Sequence, residues 1–200
     1  YFTAATKIMV ITMSISSALG AVIMPRTSNL IAEERMDEFK ALVQKSYDFI
    51  FALAMPLMVG LIFTSPSAVL LLSGEGFVPA ILTSQIVAFN ILTVGLSGVM
   101  GIQVLYPLGK INIVILCTSI GAIINVFLNV LLIPRYGHNG TAVAYMLAEM
   151  TVTVSMFFIG KRYIPIRFLK RQHLNYVLGS VVMGVILFRG LDWGILPLWL

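Results

Sequence analysis

Glu149 is the residue in this sequence whose type and position most clearly suggest chemistry, because it is the only charged residue within the apolar stretch 140–160. A carboxyl group inside a membrane-spanning helix is costly, so it should face the interior of a bundle or a water-filled cavity. Tyr145 and Thr153 lie four residues on either side and share its helix face. We predict that Glu149 either binds a proton, a cation or a polar substrate, or is a buried carboxyl that holds two helices together.

Two other apolar stretches carry stripes of polar residues at helical spacing. Asn125 and Asn129 are four residues apart, and Asn90 and Thr93 are three apart. Such stripes either line a cavity or let helices approach one another and form hydrogen bonds. The pattern favours packing over cavity lining for both stripes. It favours packing still more for the row of small residues Gly140, Ala144 and Ala148.

Lys7 precedes the first long apolar run, and Ser14 continues its helix face. An ammonium group there could face a cavity and attract an anionic substrate. Alternatively, its long aliphatic stem lets the charge reach the membrane interface, as lysines near helix ends commonly do. The second interpretation is slightly favoured.

The composition places all these residues in a membrane protein. Hydrophobic residues make up 59% of the chain, charged residues make up 10%, and the mean hydropathy is +0.99. Soluble proteins average about 25% charged residues, so a soluble domain of this composition could not cover its surface with polar groups. The net charge of +5 therefore reflects membrane topology and predicts no nucleic-acid partner.

Stretches long enough to cross a bilayer as helices recur along the whole chain. We predict an all-α integral membrane protein, a polytopic helical bundle with 1–200 forming one transmembrane domain. Between the first two spans, residues 28–46 carry an apolar stripe and a charged face at roughly helical spacing. They predict an amphipathic linker on the cytoplasmic side. The predicted spans are about 5–25, 48–66, 82–105, 111–134, 140–160 and 173–189. Residues 193–200 resemble the start of a further apolar segment.

The basic residues support this topology. If the loop after the first span is cytoplasmic, ten of the 13 Lys and Arg residues lie on the cytoplasmic side. Only Lys7, Arg135 and Arg189 lie on the other side. Such an excess of basic residues in cytoplasmic loops is the usual determinant of orientation.

A search for catalytic signatures favours transport or a structural role over enzymatic activity. His138 and His173 are far apart and lie in loops on opposite predicted sides, so they offer no metal-ligand spacing. No nucleophile-elbow, phosphate-loop or dinucleotide-binding fingerprint occurs, and Cys117 is the only cysteine. We therefore predict neither an enzyme nor a cofactor.

One segment resembles a signature of bacterial oligosaccharide flippases. Residues 129–142 read NVLLIPRYGHNGTA, and Ala148-Glu149 follows. In that family an Asn-containing helix ends in Ile-Pro, a Tyr-Gly-x-x-Gly turn follows, and the next helix has small residues and a Glu. Several short motifs between residues 1 and 110 are also similar to the family, including the one around Lys7.

The resemblance implies a Wzx-like member of the polysaccharide-exporter branch of the superfamily that also contains MATE drug transporters. Such proteins have 12–14 helices in two pseudo-symmetric halves, of which this chain would be the C-terminal half. They flip undecaprenyl-diphosphate-linked oligosaccharides, such as O-antigen, capsule or exopolysaccharide units, across the bacterial plasma membrane by alternating access. The implied partners are the lipid-linked oligosaccharide, membrane lipids, a polysaccharide polymerase and other assembly proteins. The implied site hypothesis has Lys7 meeting the diphosphate or an acidic sugar, while Glu149 titrates or orders the inner polar stripe. The full set of candidate cavity residues is Lys7, Ser14, Asn90, Thr93, Asn125, Asn129, Tyr145 and Glu149.

Three alternatives remain open from the sequence. A cation-coupled drug antiporter of the same fold would need intramembrane carboxylates, and a single one, Glu149, is weak support for it. A membrane glycosyltransferase or ligase would need a large outer loop with acids or a His, whereas the longest predicted outer loop, 65–81, contains only Glu75. A scaffold subunit without transport activity is the third.

Overall fold

The computed structural model describes residues 1–167 and 170–192, except for the side chains of 15–19, 21 and 190–192. The predicted start of an apolar segment at 193–200 lies outside this part. The described chain is helical, without β-strands. The reason is that a backbone in lipid must satisfy its own hydrogen bonds, which an α-helix does within a single segment. The elements are α1 Phe2–Ala32, α2 Met36–Ser73, a 3₁₀ turn Glu75–Phe77, α3 Ala80–Ala88, α4 Asn90–Gly98, a π-helical segment Val99–Leu105, α5 Ile111–Gly160 and α6 Arg171–Asp192.

The region between the first two predicted spans differs from the expected linker. Residues 28–46 do not form a separate helix: α1 continues past Pro25 to Ala32, and α2 begins at Met36. The three residues between the helices make a tight turn, with Glu34 at a φ of 58°. Arg35 stabilises the turn by donating to Glu33 at 2.7 Å and Glu38 at 2.8 Å. The charged residues that suggested a surface helix therefore cover the turn of a long helical hairpin.

Helix α5 is a second hairpin, formed by an N-terminal arm (residues 111–136) and a C-terminal arm (residues 138–160). The arms meet at Gly137, whose φ of 56° and ψ of −131° are not helical and are rarely accessible to residues with a Cβ. Gly140 then lets the chain pass close to the other arm, because a Cβ there would lie 2.6 Å from the carbonyl oxygen of Leu132. The chain thus turns within 134–140, the stretch that the sequence places between two predicted spans. Gly140, Ala144 and Ala148 are all buried, as the packing interpretation of this row predicts.

Helices α3 and α4 and the π-helical segment follow one another almost without a break, from Ala80 to Leu105. A single turn residue, Phe89, separates α3 from α4, and the π-helical turn starts directly after Gly98. π-Helical turns are uncommon and are frequent at functional sites. This one carries the buried side chain of Gln103, whose Oε1 has no hydrogen-bond partner among the described residues.

The bundle has two apolar core clusters. One joins α1, α2, α4, the π-helical segment and α5, and includes Phe39, Met100 and Val114. The other joins α1, α2, α3, α4 and α5, and includes Ile8, Val69 and Ala142.

Helix α6 is attached to α2 by polar contacts around Asp48. The Lys170 ammonium lies 2.5 Å from Asp48 Oδ2, and Nε2 of the buried His173 donates to Asp48 Oδ1 at 3.0 Å. The proton lies on Nε2 because Nδ1 accepts the backbone N–H of Lys170. Gln44 adds a bond to Asp48, and it both donates to and accepts from the backbone of Arg167.

Three helical stretches of the described chain are long and apolar enough to cross a membrane: Met36–Ser73, Ala80–Leu105 and Ile111–Gly160. They contain four of the six predicted spans, because α5 includes both 111–134 and 140–160. Helix α1 contributes a shorter apolar stretch, Phe2–Ser14. Helix α6, which contains the predicted span 173–189, is not among the three. The positions of all six spans in the bilayer stay a prediction.

Candidate functional site

A cavity of about 580 Å³ lies between the two arms of α5 and the segment formed by α4 and the π-helical turn. Its size is that of pockets that bind small molecules. Most of its wall is apolar, and six side chains with hydrogen-bonding groups interrupt that wall. These are Ser97, Tyr106, Thr118, Asn125, Tyr145 and Glu149.

Glu149 is half-buried in the wall of this cavity. Within the described residues its carboxylate forms no hydrogen bond or ion pair, so it is available to a ligand. It reaches this position because the C-terminal arm buries the helix face formed by Gly140, Ala144 and Ala148. Glu149 follows Ala148 by one residue, so it lies at the edge of that packed face.

Asn125 enters the cavity from the other arm of α5. Its Oδ1 accepts a hydrogen bond of 2.9 Å from Nδ2 of Asn129, one helical turn later. Asn129 lies outside the cavity and lines a separate depression with Val126, Val130 and Pro134. The two asparagines thus form a connected pair, of which only Asn125 contacts the cavity.

Tyr145 lies one turn before Glu149 on the same arm and also lines the cavity. Its ring packs edge-on against Phe2, with 6.1 Å between the ring centroids. This contact connects the first turn of α1 to the cavity wall.

The other sequence-predicted site residues do not line this cavity. Asn90 is fully buried, and its Nδ2 has no hydrogen-bond partner in the part of the chain that the structure describes. Thr93 uses its backbone carbonyl to accept a 2.9 Å hydrogen bond from Thr153. Lys7 and Ser14 are exposed on α1, and none of the described α1 side chains lines the cavity. Of the eight predicted residues, the structure brings three together: Asn125, Tyr145 and Glu149. Roles of all eight in substrate binding stay a prediction.

Two polar residues of the cavity wall, Thr118 and Tyr106, do not belong to the predicted polar stripes. Thr118 precedes Asn125 by seven residues, two helical turns, so its place on the same face was readable from spacing. Tyr106 directly follows the π-helical turn. A π-helical turn changes which residues share a helix face, and the sequence pattern did not predict that turn. Ser97 and Gly101, by contrast, extend the stripe of Asn90 and Thr93, and both line the cavity.

The helices and the cavity together define the class: an all-α membrane-type protein with a mostly apolar cavity between packed helices, into which several polar side chains project. Comparison with known proteins then identifies the family. Over residues 4–199 the chain matches the lipid II flippase MurJ family, and it belongs to that family. A flippase family is thus confirmed, as the resemblance implied; the narrower Wzx-like branch and a bacterial source stay predictions.

Two archaeal proteins are similar to this chain. A probable low-salt glycan biosynthesis flippase, Agl15 of Haloferax volcanii, is 24% identical over 184 residues, covering 92% of this chain and 39% of the relative. An uncharacterized membrane protein of Methanocaldococcus jannaschii, MJ1068, is 23% identical over 192 residues, covering 86% of this chain and 38% of the relative. The chain therefore spans about two fifths of the length of these curated relatives.

Proposed function

We propose that the protein flips a lipid-linked glycan across the membrane by alternating access, with the glycan contacting the cavity between the arms of α5. The observation that carries the proposal is that Glu149, Tyr145 and Asn125 line one cavity in a chain of the lipid II flippase family. These groups suit the hydroxyl and acetamido groups of sugars: the carboxylate accepts hydrogen bonds, whereas the phenol and the amide both donate and accept them.

The charge of the cavity indicates which part of the substrate it binds. Among the described residues no cation pairs with Glu149, so a diphosphate in the cavity would face uncompensated repulsion in a medium of low dielectric constant. The sugar hydroxyls are the better occupants, because a carboxylate accepts charge-assisted hydrogen bonds from them. The diphosphate would then bind elsewhere, and Lys7 on α1 remains the candidate for it.

The substrate class we propose is a sugar carried on a polyprenyl diphosphate, with undecaprenyl as the lipid in a bacterial plasma membrane. An O-antigen, capsule or exopolysaccharide unit, or a cell-wall precursor of the kind that names the family, fits the same chemistry. The name of Agl15 as a glycan biosynthesis flippase supports this class. A second half of the protein would complete the cavity, since the chain covers about two fifths of its relatives.

The test uses the complete protein reconstituted in vesicles that contain a fluorescent lipid-linked oligosaccharide, with translocation measured as loss of accessibility to an external quencher. The variant Glu149→Gln keeps the shape of the side chain and removes its charge. We expect it to slow translocation about tenfold, the effect of losing one charge-assisted hydrogen bond worth about 1.5 kcal/mol. Glu75→Gln is the matched control, because Glu75 is exposed in the 3₁₀ turn and lies outside the cavity.

The outcomes separate the function from the site. If the unmodified protein fails to translocate the lipid-linked sugar, the flippase proposal is wrong. If it translocates and Glu149→Gln matches Glu75→Gln, only the cavity assignment is wrong. Export of a lipophilic dye under a sodium or proton gradient, without translocation of the sugar, would favour the drug-antiporter alternative instead.

A further inference from the structure

A second groove, separate from the cavity, lies between α2, α4 and the C-terminal arm of α5. It has a volume of about 350 Å³ and shares no lining residue with the cavity. Its polar Thr153 hydroxyl is already engaged, since it donates to the carbonyl oxygens of Thr93 and Glu149. The other walls are mostly apolar and consist of the ring of Tyr47 and the side chains of Leu96, Val154, Phe157 and Phe158.

The groove opens sideways at the outer surface of the bundle. Val154 is 51% exposed and Phe158 is 64% exposed, although both line the groove. In a membrane protein such exposed apolar side chains face lipid tails. An acyl chain could therefore enter the groove directly from the bilayer.

Basic residues lie at one end of this groove. Lys161 lines it, and its ammonium lies 4.6 Å from the centroid of the Phe158 ring, which keeps the charge beside the apolar wall. Arg162 follows and is exposed. Close to this turn, the Lys110 ammonium lies 5.6 Å from the ring centroid of Tyr163.

No carboxylate among the described residues pairs with the positive charges at this end. In the described ranges the ion pairs use Arg35, Lys40, Lys170 and His173, whereas Lys110, Lys161 and Arg162 form none. An apolar slot open to the bilayer, with unpaired cations at its end, complements a molecule with an acyl chain and an anionic headgroup.

We propose that this groove binds one anionic phospholipid of the surrounding bilayer, with an acyl chain between Val154 and Phe158 and the phosphate on Lys161 and Arg162. The headgroup end lies on the predicted cytoplasmic side, where anionic lipids concentrate and basic juxtamembrane residues attract them. The proposal needs only the membrane fold and does not depend on the flippase activity.

The test measures the dissociation constant of the first bound phosphatidylglycerol on the complete protein by native mass spectrometry, with phosphatidylcholine as the neutral comparison. The double variant Lys161→Gln, Arg162→Gln should weaken phosphatidylglycerol binding about fivefold for each charge removed. It should leave phosphatidylcholine binding unchanged. Arg26→Gln, Lys45→Gln is the matched control: it removes two exposed charges on the same predicted side, and neither residue lines the groove.

A third variant, Val154→Trp, fills the groove and keeps both charges. We expect it to weaken phosphatidylglycerol binding as well, which separates a groove site from simple surface attraction. Equal affinity for the two lipids, or equal loss in the double variant and its control, would overturn the proposal. So would displacement of phosphatidylglycerol by an equimolar polyprenyl diphosphate, because the groove would then belong to the transported lipid.

Discussion

Gly121 on the N-terminal arm of α5 lies against Val152 on the C-terminal arm so closely that a Cβ on Gly121 would overlap the Val152 Cγ2 methyl group. The carbonyl oxygen of Ala148 would lie 3.3 Å from the same added atom. All three residues line the cavity. The distance between the arms, and with it the width of the cavity, is therefore set at a glycine.

Gly121→Ala should destabilise the protein by about 1–3 kcal/mol, because the added methyl group must displace Val152 or separate the arms. Thermal unfolding in detergent measures the loss. Val152→Ala should restore part of it in the double variant, because it removes the methyl group that clashes. Gly179→Ala in α6 is the control, since its Cβ would meet nothing within 4 Å. Additive effects of the two α5 changes would contradict the close approach.

Gly137→Ala should also destabilise the protein, for a backbone reason. Its φ of 56° with a ψ of −131° is essentially restricted to glycine, so a Cβ should cost about 1–3 kcal/mol. Nothing lies within 4 Å of that Cβ, so packing would not contribute. Gly76→Ala is the comparison, because Gly76 has the same open surroundings without a positive φ. Equal unfolding midpoints for the two variants would show that the α5 turn tolerates another conformation.

Asp48→Asn should loosen the attachment of α6 to α2. The change removes the charge that accepts hydrogen bonds from Lys170 and His173. Because these bonds are partly buried, we expect the free energy of unfolding to fall by about 2 kcal/mol. Asp37→Asn on the same helix is a matched control. The Asp37 carboxylate lies 3.2 Å from the Lys40 ammonium, and the Asp37 side chain is fully exposed. Water screens such a pair, so this variant should leave the free energy of unfolding nearly unchanged.

Hydrogen–deuterium exchange gives the spatial readout for these two variants. Faster exchange in α6 after Asp48→Asn, and unchanged exchange after Asp37→Asn, is the expected result. If α6 exchanges alike in both, another contact holds that helix in place.

Thr153→Val tests the hydrogen bond between α5 and α4. Thr153 Oγ1 donates to the Thr93 carbonyl oxygen at 2.9 Å, and valine keeps the shape while removing the donor. Such bonds between membrane helices average about 0.6 kcal/mol, and we expect a loss of that size in the free energy of unfolding. Thr151→Val is the control, because Thr151 donates only to Leu147 within its own helix. Equal losses would assign the effect to the change of residue type alone.

Much of the fold was readable from the sequence because lipid restricts the backbone. An apolar stretch of about 20 residues in a chain this poor in charge has to be helical, so the helical class and the break near Gly137 followed directly. The first helix does not end near Pro25, where the first predicted span ends, because a proline within a membrane helix does not have to end it. The linker was predicted wrongly for a related reason: an amphipathic pattern describes a surface helix and the charged ends of two long helices equally well.

For the site, the sequence by itself determined that Glu149 is a costly polar residue in an apolar helix, and that Asn125 and Tyr145 lie on polar stripes. Only the tertiary structure decided which stripes meet. Asn90 and Asn125 look alike in sequence, yet the packing of α4 buries Asn90 while the α5 hairpin places Asn125 on the cavity. Helical periodicity fixes which residues share a face, whereas the element opposite that face depends on close contacts between distant residues, such as Gly121 and Val152.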